Sequence, residues 1–325
     1  MPVILAGDIG GTKSLLGFFE AGRDRPKALA VGSFRTLEYP DLPSIIAAFA
    51  RDNPTHAASI DSACFGVAGP VLGEIAQLTN APWKVDVRLV AKTFGIGRAA
   101  LLNDLEAMAY GVPMLEPSEV QVLQEGQPIP GGNMAVIAAG TGLGEALIHS
   151  VGGRLIPSRS EAGHADFAAR TEREIDVMRA LTARFGRAEV EEVLSGRGLV
   201  NLHRITHTDG GCLALEDESS PDAPAEISKA ALERRCGGCV EALGLFVDAY
   251  GAEAGNLALR TVSTGGLFVG GGIALKILPA LVDGRFMRAF RDKAPLADMV
   301  ARMPVAVILN PDVGMLGAAV YAAQL

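Results

Sequence analysis

The chain has 325 residues, a formal net charge of −8, 49% hydrophobic residues and 20% charged ones. That is enough chain for two cores, and too apolar a composition for disorder. An acidic balance argues against a nucleic-acid binder, which replaces phosphate counterions with Lys and Arg. Apolar runs such as Ala99–Leu102 and Met134–Ala139 are too short to cross a bilayer.

Val3–Ala6 reads as a buried strand, Gly7–Thr12 as a turn and Ser14–Phe19 as a second strand, together a hairpin with a glycine-rich tip. No basic leader precedes it, so a cytoplasmic location is expected. Leu42–Arg51 has helical spacing, Ser62–Val67 returns as a strand, and Leu101-Leu102 ends another before a helix that starts at Asn103-Asp104. Met134–Ala139, Gly140–Gly144 and Ala146–Val151 then repeat the plan of strand, glycine turn, strand.

Thr171-Glu172-Arg173-Glu174 spells a capping box, and Ile175, Met178, Leu181 and Phe185 mark one face of the helix that follows. Asp209–Pro224 reads as a surface loop, with helix from there to about Leu259. A strand at Leu267–Val269 runs into Gly270-Gly271-Gly272, and Val305–Leu309 precedes a C-terminal helix from about Val313. The pattern predicts an α/β fold of two lobes with a ligand cleft between them. The small lobe is expected over 1–106, completed by a helix at 312–325, and the large one over 107–311.

Four cysteines in a chain of this size do not make a disulfide framework. Cys236-Gly-Gly-Cys239 has a CxxC spacing, but neither Cys64 nor Cys212 supplies a second pair at the spacing zinc motifs use. Placed inside a helical stretch beginning near Ile227, the motif reads as packing.

The chemistry resides in three glycine-rich turns and a set of polar residues. In Gly7-Asp8-Ile9-Gly10-Gly11-Thr12, missing Cβ atoms let backbone N–H groups approach a phosphate. Asp8 suits Mg²⁺, directly or through water, and Thr12 offers a hydroxyl. The plain alternative is a tight hairpin in which Asp8 satisfies its own backbone. Gly140-Thr141-Gly142 repeats the device, and two such hairpins can clamp a polyphosphate. Gly270-Gly271-Gly272 before a helix lets a base and ribose lie against backbone, and the helix start favours negative charge.

These motifs, in this order, resemble the sugar kinases of the hexokinase–actin–Hsp70 ATPase fold, and more closely the enterobacterial-type glucokinase family. The resemblance rests on Gly7–Thr12, Leu102–Ala107, Gly140–Gly144, Glu161–Phe167, Leu194–Leu202 and Gly255–Leu259, which span nearly the whole chain. It implies a two-lobed actin-like, ribonuclease H-like fold and phosphoryl transfer from ATP to the 6-hydroxyl of glucose, with ATP and Mg²⁺ as cofactors. It also implies a homodimer without nucleic-acid or membrane partners. Sugar contacts are implied for Asn103, Asp104, Glu161, His164 and Glu191, with Asp104 as the base. Nucleotide contacts are implied for Gly7, Asp8, Ile9, Gly10, Gly11, Thr12, Gly140, Thr141, Gly142, Gly271 and Gly272.

The residue chemistry agrees: carboxylates and amides match a ring of sugar hydroxyls, each both donor and acceptor. Each residue also has a plain structural role. Asn103 or Asp104 can cap a helix, His164 can be a satisfied buried histidine, and Glu191 a solvated charge. The base role of Asp104 requires that Asn103, not Asp104, caps the helix. Glu192 is expected to face solvent. Lys13 departs from the family, which more often has a small polar residue there; it points outward or adds charge near the phosphates. The cysteine-rich zinc motif of the related repressor–kinase family is missing, as is an N-terminal helix-turn-helix, which argues against a transcriptional regulator. The rival readings are a kinase for another hexose or another phosphate donor, and an idle sugar sensor on the same fold. A sensor does not need Asp8 and Asp104 together.

Overall fold

The strand Val3–Ile9 buries both of its faces. Val3, Leu5 and Ile9 join a cluster with Leu16, Phe18, Ile45, Phe49 and Phe65, whereas Ile4 and Ala6 join Cys64, Leu102, Met315 and Ala319. Successive side chains of a strand point to opposite faces, so helices must cover the sheet on both sides. Asp8 has the parity of Ile4 and Ala6, and therefore faces the side covered by the C-terminal helix Val313–Ala322.

In this computed structural model, residues 3–22, 25–79, 81–207, 211–212, 214–215 and 217–325 are described. They fall into two compact units. One runs to Glu119 and adds Pro157–Arg159 and Asn310–Leu325; the other comprises Val120–Ile156 and Ser160–Leu309. The first therefore extends past residue 106 and keeps the helix Asp104–Gly111 whole. The reason is close helix packing: a Cβ on Gly317 would fall on the Ala107 carbonyl oxygen, and one on Gly111 on that of Val313. No larger residue permits that approach.

The main sheet of the first unit has five strands in the order Lys27–Arg35, Lys13–Glu20, Val3–Ile9, Ile60–Val67 and Arg98–Asn103. The first three run antiparallel, with Ala6 opposite Gly17. The last two are parallel to Val3–Ile9, with Ala6 beside Cys64 and Val67 beside Asn103. The six-stranded sheet repeats this order with Arg154–Ser160, Leu143–Val151, Met134–Ala139, Gly266–Gly270 and Val305–Ile308, and adds Val120–Gln124 antiparallel at the edge. The shared plan expected from the sequence is present in both units. In each, the glycine turn closes the hairpin whose first strand also pairs with a parallel neighbour.

Several local expectations change. Gly7, Asp8 and Ile9 belong to the strand, which leaves only residues 10–12 for the turn, and likewise 140–142 in the second unit. The capping box at Thr171 and Glu174 is present, but the helix Glu172–Phe185 buries Glu174, Val177 and Leu181 while Phe185 is exposed. Of the loop expected over Asp209–Pro224, Asp209, Gly210, Leu213 and Glu216 lie outside the described residues, and the helix Ala223–Leu232 starts inside that range. Cys236 is not within a helix. It is the residue before the helix Gly237–Thr261. Among the described residues no helix is long and apolar enough to cross a membrane.

Candidate functional site

In the first unit the turn at Gly10 is braced from the end of a neighbouring strand. The Gly10 N–H donates to the Lys13 carbonyl at 3.1 Å, and the Thr36 hydroxyl donates to the Gly10 carbonyl at 2.7 Å. The Thr36 N–H donates to the Thr12 carbonyl, and its hydroxyl lies 2.9 Å from that of Ser14. Thr12 and Lys13 are exposed at the tip, so Lys13 points outward. The missing side chain of Gly7 serves packing, since a Cβ would sit 2.8 Å from Leu16 and Phe65. Ile9 is in the core, which leaves only its backbone for a ligand.

Asp8 lies against the start of the C-terminal helix, where a Cβ on Gly314 would come within 2.9 Å of its Oδ2. Burial, then repulsion from Asp104 and Asp312, lifts its pKa from 3.8 to about 7, against the opposing charge of Lys13. Asp312, which precedes that helix, was not singled out by sequence reading. It comes from the far end of the chain, and no local pattern marks it. A buried acid held up further by two others is a place where a divalent cation would relieve the repulsion.

Asn103 ends its strand in an extended conformation (φ −65°, ψ 151°) and caps the helix Asp104–Gly111, its Oδ1 accepting the Leu105 N–H at 3.1 Å. Its Nδ2 donates to the Gly69 carbonyl at 3.4 Å. Asp104 Oδ1 accepts the same Leu105 N–H at 2.9 Å. Both side chains are half-buried.

In the second unit, one strand start organises the polar residues. The Leu143 N–H donates to Glu191 Oε2 at 2.8 Å, and a Cβ on Gly142 would lie 2.6 Å from that oxygen. Gly163 packs so tightly on the Leu143 carbonyl that no Cβ fits, which brings the turn Ala162–His164 to the same strand end. Antiparallel contacts follow: Phe167 N–H to Ala188 carbonyl at 3.0 Å and Val190 N–H to Ala165 carbonyl at 2.9 Å. They place His164 Nδ1 3.2 Å from Glu189 Oε1, and one ligand atom each of His164, Glu189 and Glu191 lies within 4.8 Å of the others.

Glu189 is a further residue that sequence reading missed. Glu161, exposed, lies in the same turn, its carbonyl accepting the His164 N–H at 3.1 Å. Glu191 sits in a short 3-10 turn, Val190–Glu192, and Arg197 reaches its Oε1 at 2.8 Å. The expectation for Glu192 is reversed: it is buried, accepting from Asn201 Nδ2 at 2.8 Å. The apolar neighbours Val190 and Val193 carry that turn into the core.

The glycine turns of this unit share one buried anchor. Tyr250 Oη accepts the Ala139 N–H at 3.1 Å and donates to the Gly270 carbonyl at 3.2 Å, so one phenol holds the ends of both strands from which the turns leave. Burial pushes its pKa far up, and it stays protonated. Gly271 has φ +86°, and a Cβ there would collide with the Ala139 carbonyl, so both backbone and space demand glycine. The Gly140 carbonyl accepts the Gly196 N–H at 2.8 Å, which ties this turn to the helix Gly196–Thr206.

A family model described as Glucokinase matches residues 5–325. The chain is 37% identical to a glucokinase from Nostoc punctiforme, covering 100% of both chains, and 38% identical to one from Mesorhizobium japonicum, covering 98% of this chain and 91% of the relative. Among solved structures, a glucokinase from an Antarctic psychrotroph aligns over 100% of both chains with a TM-score of 0.89 at 27% identity. The fold is shared with a Streptomyces griseus ROK-family glucokinase in complex with glucose and AMPPNP, at TM-score 0.65 and 21% identity over 99% of this chain and 100% of that one.

Proposed function

From the premise that the chain belongs to the glucokinase family, with the two-unit actin-like ATPase fold and the ATP-dependent hexose kinase activity of that family, we propose how its residues carry the transfer to glucose. The reaction moves the γ-phosphoryl group of ATP to the sugar 6-hydroxyl, giving glucose 6-phosphate and ADP. Such a transfer asks the protein for alignment and for charge stabilisation. Asp104 accepts the proton of the 6-hydroxyl as the oxygen attacks. Asn103, Asp104, Glu161, His164 and Glu191 bind the remaining hydroxyls, with Glu189 fixing the His164 ring through Nδ1.

Gly7–Thr12, Gly140-Thr141-Gly142 and Gly271-Gly272 take the nucleotide, chiefly by backbone N–H groups. Mg²⁺ fits the first unit, because Asp8 is an acid raised by burial and then by its carboxylate neighbours. Asp8 would hold the ion directly or through water, and when bound the ion neutralises phosphate charge. A homodimer in the cytoplasm is the state the family resemblance implies, and sedimentation velocity on the purified chain tests the assembly.

The observation that carries this reading is the grouping of Asp8, Asp104 and Asp312 beside a glycine turn. A coupled assay with ATP and Mg²⁺ over a panel of hexoses tests it. Glucose should be the preferred acceptor, and Asp104→Ala should abolish most turnover. Glucose turnover that survives that substitution nearly unchanged would sink the assignment of the base.

A further inference from the structure

Away from these residues, the second unit gathers three thiols and two imidazoles that the kinase chemistry does not use. His203 and His207 project one turn apart from the end of the helix Gly196–Thr206 and stack at 3.9 Å between ring centroids. Cys212 follows from the next loop, and Cys236 and Cys239 flank the start of the helix Gly237–Thr261. One ligand atom from each of His203, His207, Cys212 and Cys239 lies within 4.8 Å of all the others. Cys212 Sγ is 3.6 Å from Cys239 Sγ and 3.7 Å from Cys236 Sγ, and His207 Nε2 is 3.1 Å from Cys236 Sγ. Tetrahedral zinc with Zn–S near 2.3 Å and Zn–N near 2.0 Å has ligand–ligand edges of roughly 3.3–3.8 Å. The sulfur–sulfur distances already fall in that range.

The ring nitrogens are oriented for the same task. His203 is buried, with Nδ1 2.8 Å from Glu218 Oε1 and Nε2 buried without a partner. A proton on Nδ1, given to the carboxylate, leaves the Nε2 lone pair aimed at the cluster. His207 repeats the arrangement, with Nδ1 2.8 Å from the His203 carbonyl and Nε2 toward the thiols. An imidazole whose second nitrogen is held by a carboxylate or a carbonyl is the usual support of a metal ligand. Gly238, inside the CxxC, admits the ring: a Cβ there would lie 2.6 Å from His207 Nε2.

We propose that His203, His207, Cys212 and Cys239 form a four-coordinate zinc site, with Cys236 as an adjoining thiol, that pins the end of one helix to the start of another. Sequence spacing hid the site because its ligands come from three separate segments; the packing role expected for the motif is also met, with Cys239 in the hydrophobic core and Cys236 packed against it.

The test uses the full chain, stripped with chelator under reducing conditions and titrated with Zn²⁺ against a chromogenic competitor. About one zinc ion per chain should bind, the melting temperature should rise on refilling, and Co²⁺ should give the absorption of a tetrahedral thiolate site. Cys212→Ala, on a half-buried loop position, and His207→Ala should each lose the ion and the melting-temperature response. Zinc uptake by Cys212→Ala and His207→Ala equal to wild type would overturn the proposal. So would a melting temperature restored equally by Mg²⁺, or Cys239 found in a disulfide in freshly prepared protein.

Discussion

Asn103 and Asp104 share one donor: the Leu105 N–H points to the Oδ1 atoms of both, at 3.1 and 2.9 Å. The helix start therefore does not rest on Asp104 alone, and an Asp104 variant retains a cap. Asp104→Asn should lower kcat by about 10²-fold or more, the range for a lost general base, with a melting temperature close to wild type. Asn103→Ala should instead cost about 1 kcal/mol of stability through the lost cap. Steady-state kinetics beside thermal unfolding separates the two.

Asp8 makes the protein sensitive to pH. Its folded pKa of about 7 lies above the ordinary carboxylate value of 3.8, so folding retains a proton that the unfolded chain releases between those values. The associated stability is complete below the lower value and is lost progressively as pH rises through the higher one. Metal-free Asp8→Asn should thus gain stability over wild type as pH rises from 4 toward 7, with the difference constant above that. The same variant should need about tenfold more Mg²⁺, or more, for half-maximal rate. Chemical denaturation across pH, then an Mg²⁺ titration of activity, checks both.

Tyr250 is a positioning residue. Tyr250→Phe leaves the buried Ala139 N–H without its acceptor, which should cost about 1–3 kcal/mol. KM for ATP should rise more than KM for glucose, since the strands that Tyr250 ties together lead into the two glycine turns.

Gly271→Ala forces a side chain into a φ of +86° and against the Ala139 carbonyl. Destabilisation should exceed about 1 kcal/mol, and nucleotide affinity should fall. Thermal shift with and without ATP measures each part.

Glu189 holds His164 at Nδ1. Glu189→Ala should raise KM for glucose about fivefold, equivalent to roughly 1 kcal/mol for one lost hydrogen bond, while kcat changes less. A matched drop in kcat would argue against a role confined to sugar binding.

The features legible in the chain were those set by neighbours in sequence. Strand alternation, the glycine turns, the capping box of Thr171 and Glu174, and Asn103 as the cap of its helix all depend on residues a few positions apart. Dihedral preference and hydrogen bonds within one turn of chain decide them. Boundaries slipped where tertiary packing intervened, as when Gly111 and Gly317 bound the Asp104 helix to the C-terminal one.

What the tertiary structure alone decided is which distant side chains meet. Asp312 reaches Asp8 because both lie on the sheet face under the C-terminal helix. Glu189 meets His164 through a short antiparallel contact, Glu192 rather than Glu191 turns inward, and His203 and His207 close on Cys212 and Cys239 across more than thirty residues. The sequence determined that Asn103 and Asp104 stand together at a helix start. That Asp104 is electrostatically coupled to Asp8 depends on long-range packing, which burial of apolar area drives and no local spacing encodes.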